Sequence, residues 1–196
     1  MKHTKLKTAA LAAYCVLAGV VSVLVIAVLA HNYGALGEKV PVYLAPWGGS
    51  WGDKDKSLFY VFRLPAMALC LQCVLLGLYP QRMDGWPDAA YAGMRQLLAG
   101  LSVMALSQLT LNPYVTLMKV DALAGGIALC ATLALGLALA VIGCIALNRA
   151  LKPLCKPDQT PYALLLDFLF KGCRRRRALI IGAGIAFMVL LIIPSL

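Results

Sequence analysis

Acidic side chains are scarce in this chain. Asp and Glu number eight among 196 residues, against 18 Lys and Arg, and the formal net charge is +10. Histidine is scarcer still: only His3 and His31. No His, Cys and carboxylate set has zinc-site spacing, so no metal and no cofactor is expected. Glu38, Asp53 and Asp55 are the one acidic group placed to meet in a loop, but the lysines beside them favour self-neutralisation over the several oxygens a hard cation requires. A hydrolase is not expected either. Ser50, in Gly48-Gly49-Ser50-Trp51-Gly52, shares only its glycines with a nucleophile elbow and reads as a turn. The long apolar runs hold no acid or base at mid-depth, where an ion-coupled carrier keeps one. Their polar residues are mild: Gln72, Ser102, Ser107, Gln108, Thr110, Asn112 and Thr132. These read as interhelical hydrogen bonds.

Charge as a whole is low, at 13% of residues, while 62% are hydrophobic. A soluble domain is roughly a quarter charged. The apolar excess falls in blocks of membrane-spanning length, so the basic excess is read as cytoplasmic loop charge, with the lipid bilayer as partner and no nucleic acid. The seven cysteines avoid Gly37–Pro65 and five lie in apolar blocks, the opposite of a secreted disulfide scaffold.

The blocks predict an all-α integral membrane protein, a single domain of five transmembrane helices with one structured extracytoplasmic loop. The spans fall at about 8–30, 58–79, 92–111, 122–148 and 178–196, with Asn112-Pro113-Tyr114 as the exit of the third. Residues 31–57 form the outer loop and 149–177 a basic cytoplasmic loop, in which Tyr162–Phe170 is too short to cross and reads as an interfacial helix. The first apolar run, Ala9–Ala30, exceeds a signal-peptide h-region in length and is expected to stay uncleaved. With the amino end inside and the carboxyl end outside, 13 of the 18 basic residues lie in inner segments, as the positive-inside rule requires.

Three features stand out against this background. The fourth span carries Gly125, Gly126, Gly136 and Gly143, a surface suited to close helix packing. Arg174, Arg175, Arg176 and Arg177 set the topology of the last span, with anionic lipid binding as a second reading. Cys70-Leu71-Gln72-Cys73 is a CxxC inside the second span. A quinone-linked membrane thiol oxidoreductase would need a thiolate near the outer face and a second pair, and the outer segments hold no cysteine.

The stretch Gly37–Pro65 is the most distinctive. Val40-Pro41-Val42-Tyr43-Leu44 reads as extended, and Pro46–Gly52 as turn-rich. Lys39-Val40-Pro41-Val42-Tyr43-Leu44, Gly48-Gly49, Trp51-Gly52, Lys54 or Lys56, and Leu64-Pro65 resemble the amino-terminal domain of unknown function of SdpI-type immunity and signalling proteins. The resemblance covers about residues 11–79, with Tyr43 where the family has His or a similar polar residue. It implies a bacterial cytoplasmic (inner) membrane protein that binds a peptide or partner at its outer face, and it does not imply an enzyme. The expected function is therefore accessory, sensing or immunity-type recognition by Tyr43, Trp47 and Trp51, with Lys54 and Lys56 supplying charge. The alternatives are a structural subunit of a larger membrane complex, an oligomer packed through the fourth span, and a quinone-linked membrane thiol oxidoreductase using Cys70 and Cys73.

Overall fold

The computed structural model describes residues 2–47, 50–78, 86–155, 158–172 and 177–192. The chain is mostly helical. Helix α1 (Lys2–His31) leads through a short 3-10 turn into strands β1 (Lys39–Leu44) and β2 (Ser50–Asp55). Helix α2 (Leu58–Gly77) follows, then α3 (Asp88–Ala105), which runs through a π-helical turn at Leu106–Leu111 into α4 (Asn112–Leu117). Helices α5 (Ala122–Leu151), α6 (Pro161–Gly172) and α7 (Arg177–Ile192) complete the chain.

The loop between α1 and α2 is an antiparallel hairpin. Tyr43 pairs with Trp51, Pro41 with Asp53 and Lys39 with Asp55. Gly52 takes a positive φ of 70°, which a side chain would resist. The base of the hairpin is closed by Lys56 N–H donating to Glu38 O at 2.7 Å. Ser57 then caps α2, its Oγ accepting from Tyr60 N–H, which stops the strand and starts the helix.

The third helical passage differs from its expected end. Asn112-Pro113-Tyr114 is not an exit: Asn112 and Pro113 are buried and the helix continues to Leu117. Pro113 has no N–H to donate and its ring crowds the preceding turn. The turn before it is widened, with Asn112 N–H reaching back five residues to Ser107 O, so the proline is absorbed within a continuous rod. The chain leaves the helix at Lys119, whose φ is 51°.

Helices α3 and α5 make the closest pairing. A Cβ at Gly93 would lie 2.6 Å from Leu147 N, one at Gly100 2.6 Å from Gly136 O, and one at Gly143 2.8 Å from Gly93 O. Both helices place their glycines seven apart, which keeps them on one face over two turns. At one end, Leu75, Ala90, Met94, Leu98, Leu147 and Leu151 form an apolar cluster against which Leu164 and Leu165 of α6 pack. At the other, Val25, Leu29, Leu36, Val40 and Val61 join α1, the hairpin and α2. Helix α7 lies along α2, with Ile180 against Gly77.

Two helices among the described residues are long and apolar enough to cross a membrane: Leu58–Gly77 and Ala122–Leu154. Val16–His31 and Ala178–Ile192 are shorter apolar helices. Only 22% of the apolar window in Ala122–Leu154 is buried, whereas a core helix of a soluble protein would be mostly covered. Val16, Leu17, Leu24, Leu135, Ile142, Ile181 and Ile185 are exposed, while Ser22, Gln72, Ser102, Ser107, Thr110 and Asn112 are buried. Large apolar side chains are thus exposed on several helices, alongside an apolar core that includes these six polar residues.

Candidate functional site

The buried polar residues form bonds between helices. Gln72 of α2 donates from Nε2 to Ser102 O at 3.2 Å, and Ser102 Oγ returns a bond to Gln72 Oε1. This is the interhelical pairing expected of such mild side chains. A second set, centred on the π turn, does more. Ser107 Oγ donates to Leu129 O of α5 at 3.2 Å and lies 2.9 Å from Thr132 Oγ1. Thr110 Oγ1 lies 2.9 Å from Ser22 Oγ of α1. Ser22 spends its one hydrogen on Ala18 O, so Thr110 is the donor of that pair.

From the same turn, two amides reach the hairpin. Asn112 Nδ2 donates to Ala45 O at 2.7 Å. Gln108 Nε2 donates to Pro46 O at 3.4 Å and to Ser107 Oγ at 3.2 Å. Thr116 Oγ1 donates to Asn112 Oδ1, fixing which way that amide faces. Among the described residues, no buried side-chain nitrogen or oxygen lacks a partner. Ala45 and Pro46 are thus seated on α4 and the π turn by one buried donor, Asn112, and one half-buried donor, Gln108.

This seat presents Trp47. Its side chain is 63% exposed, while its carbonyl packs on Gly126 of α5, where a Cβ would come within 3.1 Å. Trp47 lines an open apolar groove with Leu123, Gly126, Ile127 and Cys130. Leu123 and Ile127 are also strongly exposed, so the indole and the first turns of α5 make one apolar surface. Tyr43 and Trp51 face each other across the ladder; their side chains, like Gly48 and Gly49, lie outside the described residues. Lys54 is exposed at the hairpin edge.

Lys56 has a different place. Its Nζ donates to Tyr33 O at 3.2 Å and Leu36 O at 3.0 Å, and stands 5.0 Å from the centre of the Tyr33 ring. Tyr33 in turn stacks on Phe62 of α2. The ammonium ties the turn after α1 to the start of α2, so its donors are already engaged within the chain.

The glycines of α5 are likewise occupied internally. Gly136 and Gly143 meet α3, Gly125 meets Val115, and Gly126 meets the hairpin. Gly125, Gly136 and Gly143 are buried within the chain, whereas Gly126 also borders the open groove beside Trp47. Arg174, Arg175 and Arg176 lie outside the described residues; Arg177 opens α7, its side chain not described. Cys70 and Cys73 are half-buried free thiols one turn apart on α2. Among the described residues no three His, Cys, Asp or Glu side chains gather as metal ligands.

No protein-family model, no curated protein and no solved structure matches the chain. The reading of its role therefore rests on the geometry above.

Sequence reasoning singled out Trp47 but not Asn112 or Gln108 as parts of the hairpin site. The signal was local: two amides four residues apart, directly before a proline, at the end of an apolar run. It marked a helix end equally well, and only the π turn decides between the two.

Proposed function

We propose that this chain is a non-catalytic integral membrane protein that recognises a membrane-protein or peptide partner through its outer hairpin. The single observation that carries this is the presentation of Trp47: a largely exposed residue beside Ala45 and Pro46, whose carbonyls accept from Asn112 and Gln108. Exposed aromatic anchors on a rigid support are what interface hot spots are made of. Lys54 supplies nearby charge, and the Tyr43–Trp51 pair stands one step further along the ladder. The resemblance of residues 11–79 to SdpI-type proteins supports the same role in a bacterial cytoplasmic membrane.

The exposed apolar side chains of α1, α5 and α7 support burial in lipid. In this reading α1, α2, the α3–α4 rod, α5 and α7 are five spans, and α6 lies at the cytoplasmic surface. The amino end is inside, the hairpin outside, and 13 of 18 basic residues are on the inner side. The two apolar clusters then mark the two faces of the bilayer, one capped by the hairpin and the other by α6.

The test is co-purification from native membranes. Wild-type chain is expected to bring down a specific partner, and the Trp47→Ala, Trp51→Ala double variant to lose it while inserting normally. An unchanged partner set in the double variant would mean that the tryptophans only anchor the loop at the headgroups.

A further inference from the structure

The π turn at Leu106–Leu111 has side chains bonded to three separate elements within six residues. Ser107 reaches α5, Thr110 reaches α1, and Gln108 with Asn112 just beyond reaches the hairpin. Bonds of this kind normally serve one interface each. Here one irregular segment serves all of them. A π turn holds one residue more than an α turn, and moving that residue along the helix rotates the side chains in between by about 100°. π turns are uncommon and concentrate at functional positions.

We propose that the π turn is a relay coupling the position of the hairpin to the packing of α1 and α5, with Asn112 as the positioning residue for Trp47. In the seated state Thr110 bonds Ser22, Ser107 bonds Leu129 O, and Asn112 bonds Ala45 O. A shift of the extra residue rotates Thr110 and Asn112 together. The hairpin loses its seat as α1 loses its hydroxyl partner, and the reverse holds equally because coupling is reciprocal. Each lost bond leaves a buried polar group exposed to apolar surroundings, so intermediate positions are disfavoured and two states remain. A partner that grips Trp47 would thereby act on α1, which lies outside the groove Trp47 shares with α5. That purpose rests on the recognition role proposed above; the coupling itself is measured with no partner present.

The experiment uses the full chain in phosphatidylcholine–phosphatidylglycerol nanodiscs, with Trp51→Phe and Trp86→Phe so that Trp47 is the sole indole. Hydrogen exchange of the hairpin amides and Trp47 emission are read in Thr110→Val, Asn112→Ala and the double variant. Asn112→Ala is expected to speed hairpin exchange about tenfold, equivalent to about 1.4 kcal/mol, and to shift the emission. Thr110→Val, remote from the hairpin on the α1 side, is expected to do the same in part. In the Asn112→Ala background it adds nothing, because the seat is already lost. The proposal is overturned if Thr110→Val leaves the hairpin unchanged while Asn112→Ala loosens it, or if the two effects simply add. Should Thr110→Val also speed exchange in α6, at the far end of the bundle, general unfolding is responsible. Ser22→Ala, which removes only the acceptor, then decides by the same readout. A partner set unchanged by the Trp47→Ala, Trp51→Ala double variant, with an intact relay, would sink only the recognition role.

Discussion

Asn112 and Ala45 are 67 residues apart in the chain, yet the amide of one donates to the carbonyl of the other at 2.7 Å. Both residues are almost fully buried. A carbonyl at a hairpin tip ordinarily bonds water. Here a helix supplies the donor, and the tip is held against the bundle rather than waving above it.

The first prediction concerns that bond. Asn112→Leu keeps the volume but leaves Ala45 O without its donor, at a cost of about 1–3 kcal/mol for an unsatisfied buried group. Unfolding in mild detergent, followed by Trp emission, should show the loss. Asn112→Asp should be at least as damaging at neutral pH, because a carboxylate faces the carbonyl with no hydrogen to offer.

Lys56 is predicted to act as a fastener. Lys56→Met removes two charge-assisted bonds and the contact with the Tyr33 ring. Such bonds contribute about 1.5–3 kcal/mol when buried, and partial exposure reduces this to about 1 kcal/mol. Protease sensitivity of the segment between α1 and the hairpin should rise, while partner capture through Trp47 weakens less than in Trp47→Ala.

The seam between α3 and α5 should reject added volume. Gly100→Val places side-chain atoms where Gly136 O and the Ala140 backbone already lie. Overpacking of this sort costs about 1–3 kcal/mol, and more where backbone must move. Gly182→Val on α7 meets nothing within 4 Å and should be neutral. Thermal stability of the two variants in the same detergent compares them directly.

Asp121 gives a pH dependence with a definite sign. The backbone N–H groups of Ala124 and Leu123 donate to its carboxylate and hold its pKa below the usual carboxylate range. A lowered folded pKa means the cap contributes fully above the unfolded value, about 3.9, and is lost as pH falls through the folded value. Asp121→Asn keeps an acceptor and should remove this part of the acid sensitivity. Asp121→Ala should lower stability at neutral pH. Unfolding midpoints at pH 7 and pH 3 distinguish the three proteins.

The helices were legible because length and hydropathy act over many residues at once. α2 begins at Leu58 and α5 at Ala122, where the apolar runs begin, and the short apolar segment after Pro161 is helical as its length implied. The first strand was visible in Val40–Leu44, which is β-branched and aromatic. The second was not: Ser50-Trp51-Gly52-Asp53-Lys54-Asp55 has the composition of a turn and is a strand only through pairing with the first. The site divided in the same way. Trp47 stood out by its type, whereas Lys56 looked like surface charge until its two carbonyl partners were in place. Asn112 and Pro113 signalled a helix end because propensity carries no information about an added residue in the turn before. Gly136 and Gly143 of α5 lie against Gly100 and Gly93, which belong to a helix whose own composition drew no notice.

The widened turn before Pro113 also says something about ancestry. It holds one residue beyond what an uninterrupted helix needs, and the helix on either side keeps its packing. A single added codon would produce this outcome, provided the new residue settled where a proline already prevented regular bonding. Sequences descended from a form without it should align across α3 and α4 with a one-residue gap inside the helix, between Leu106 and Leu111, rather than in the loops where gaps usually gather. They should also lack an amide at the place of Asn112, since it would have no hairpin carbonyl to meet.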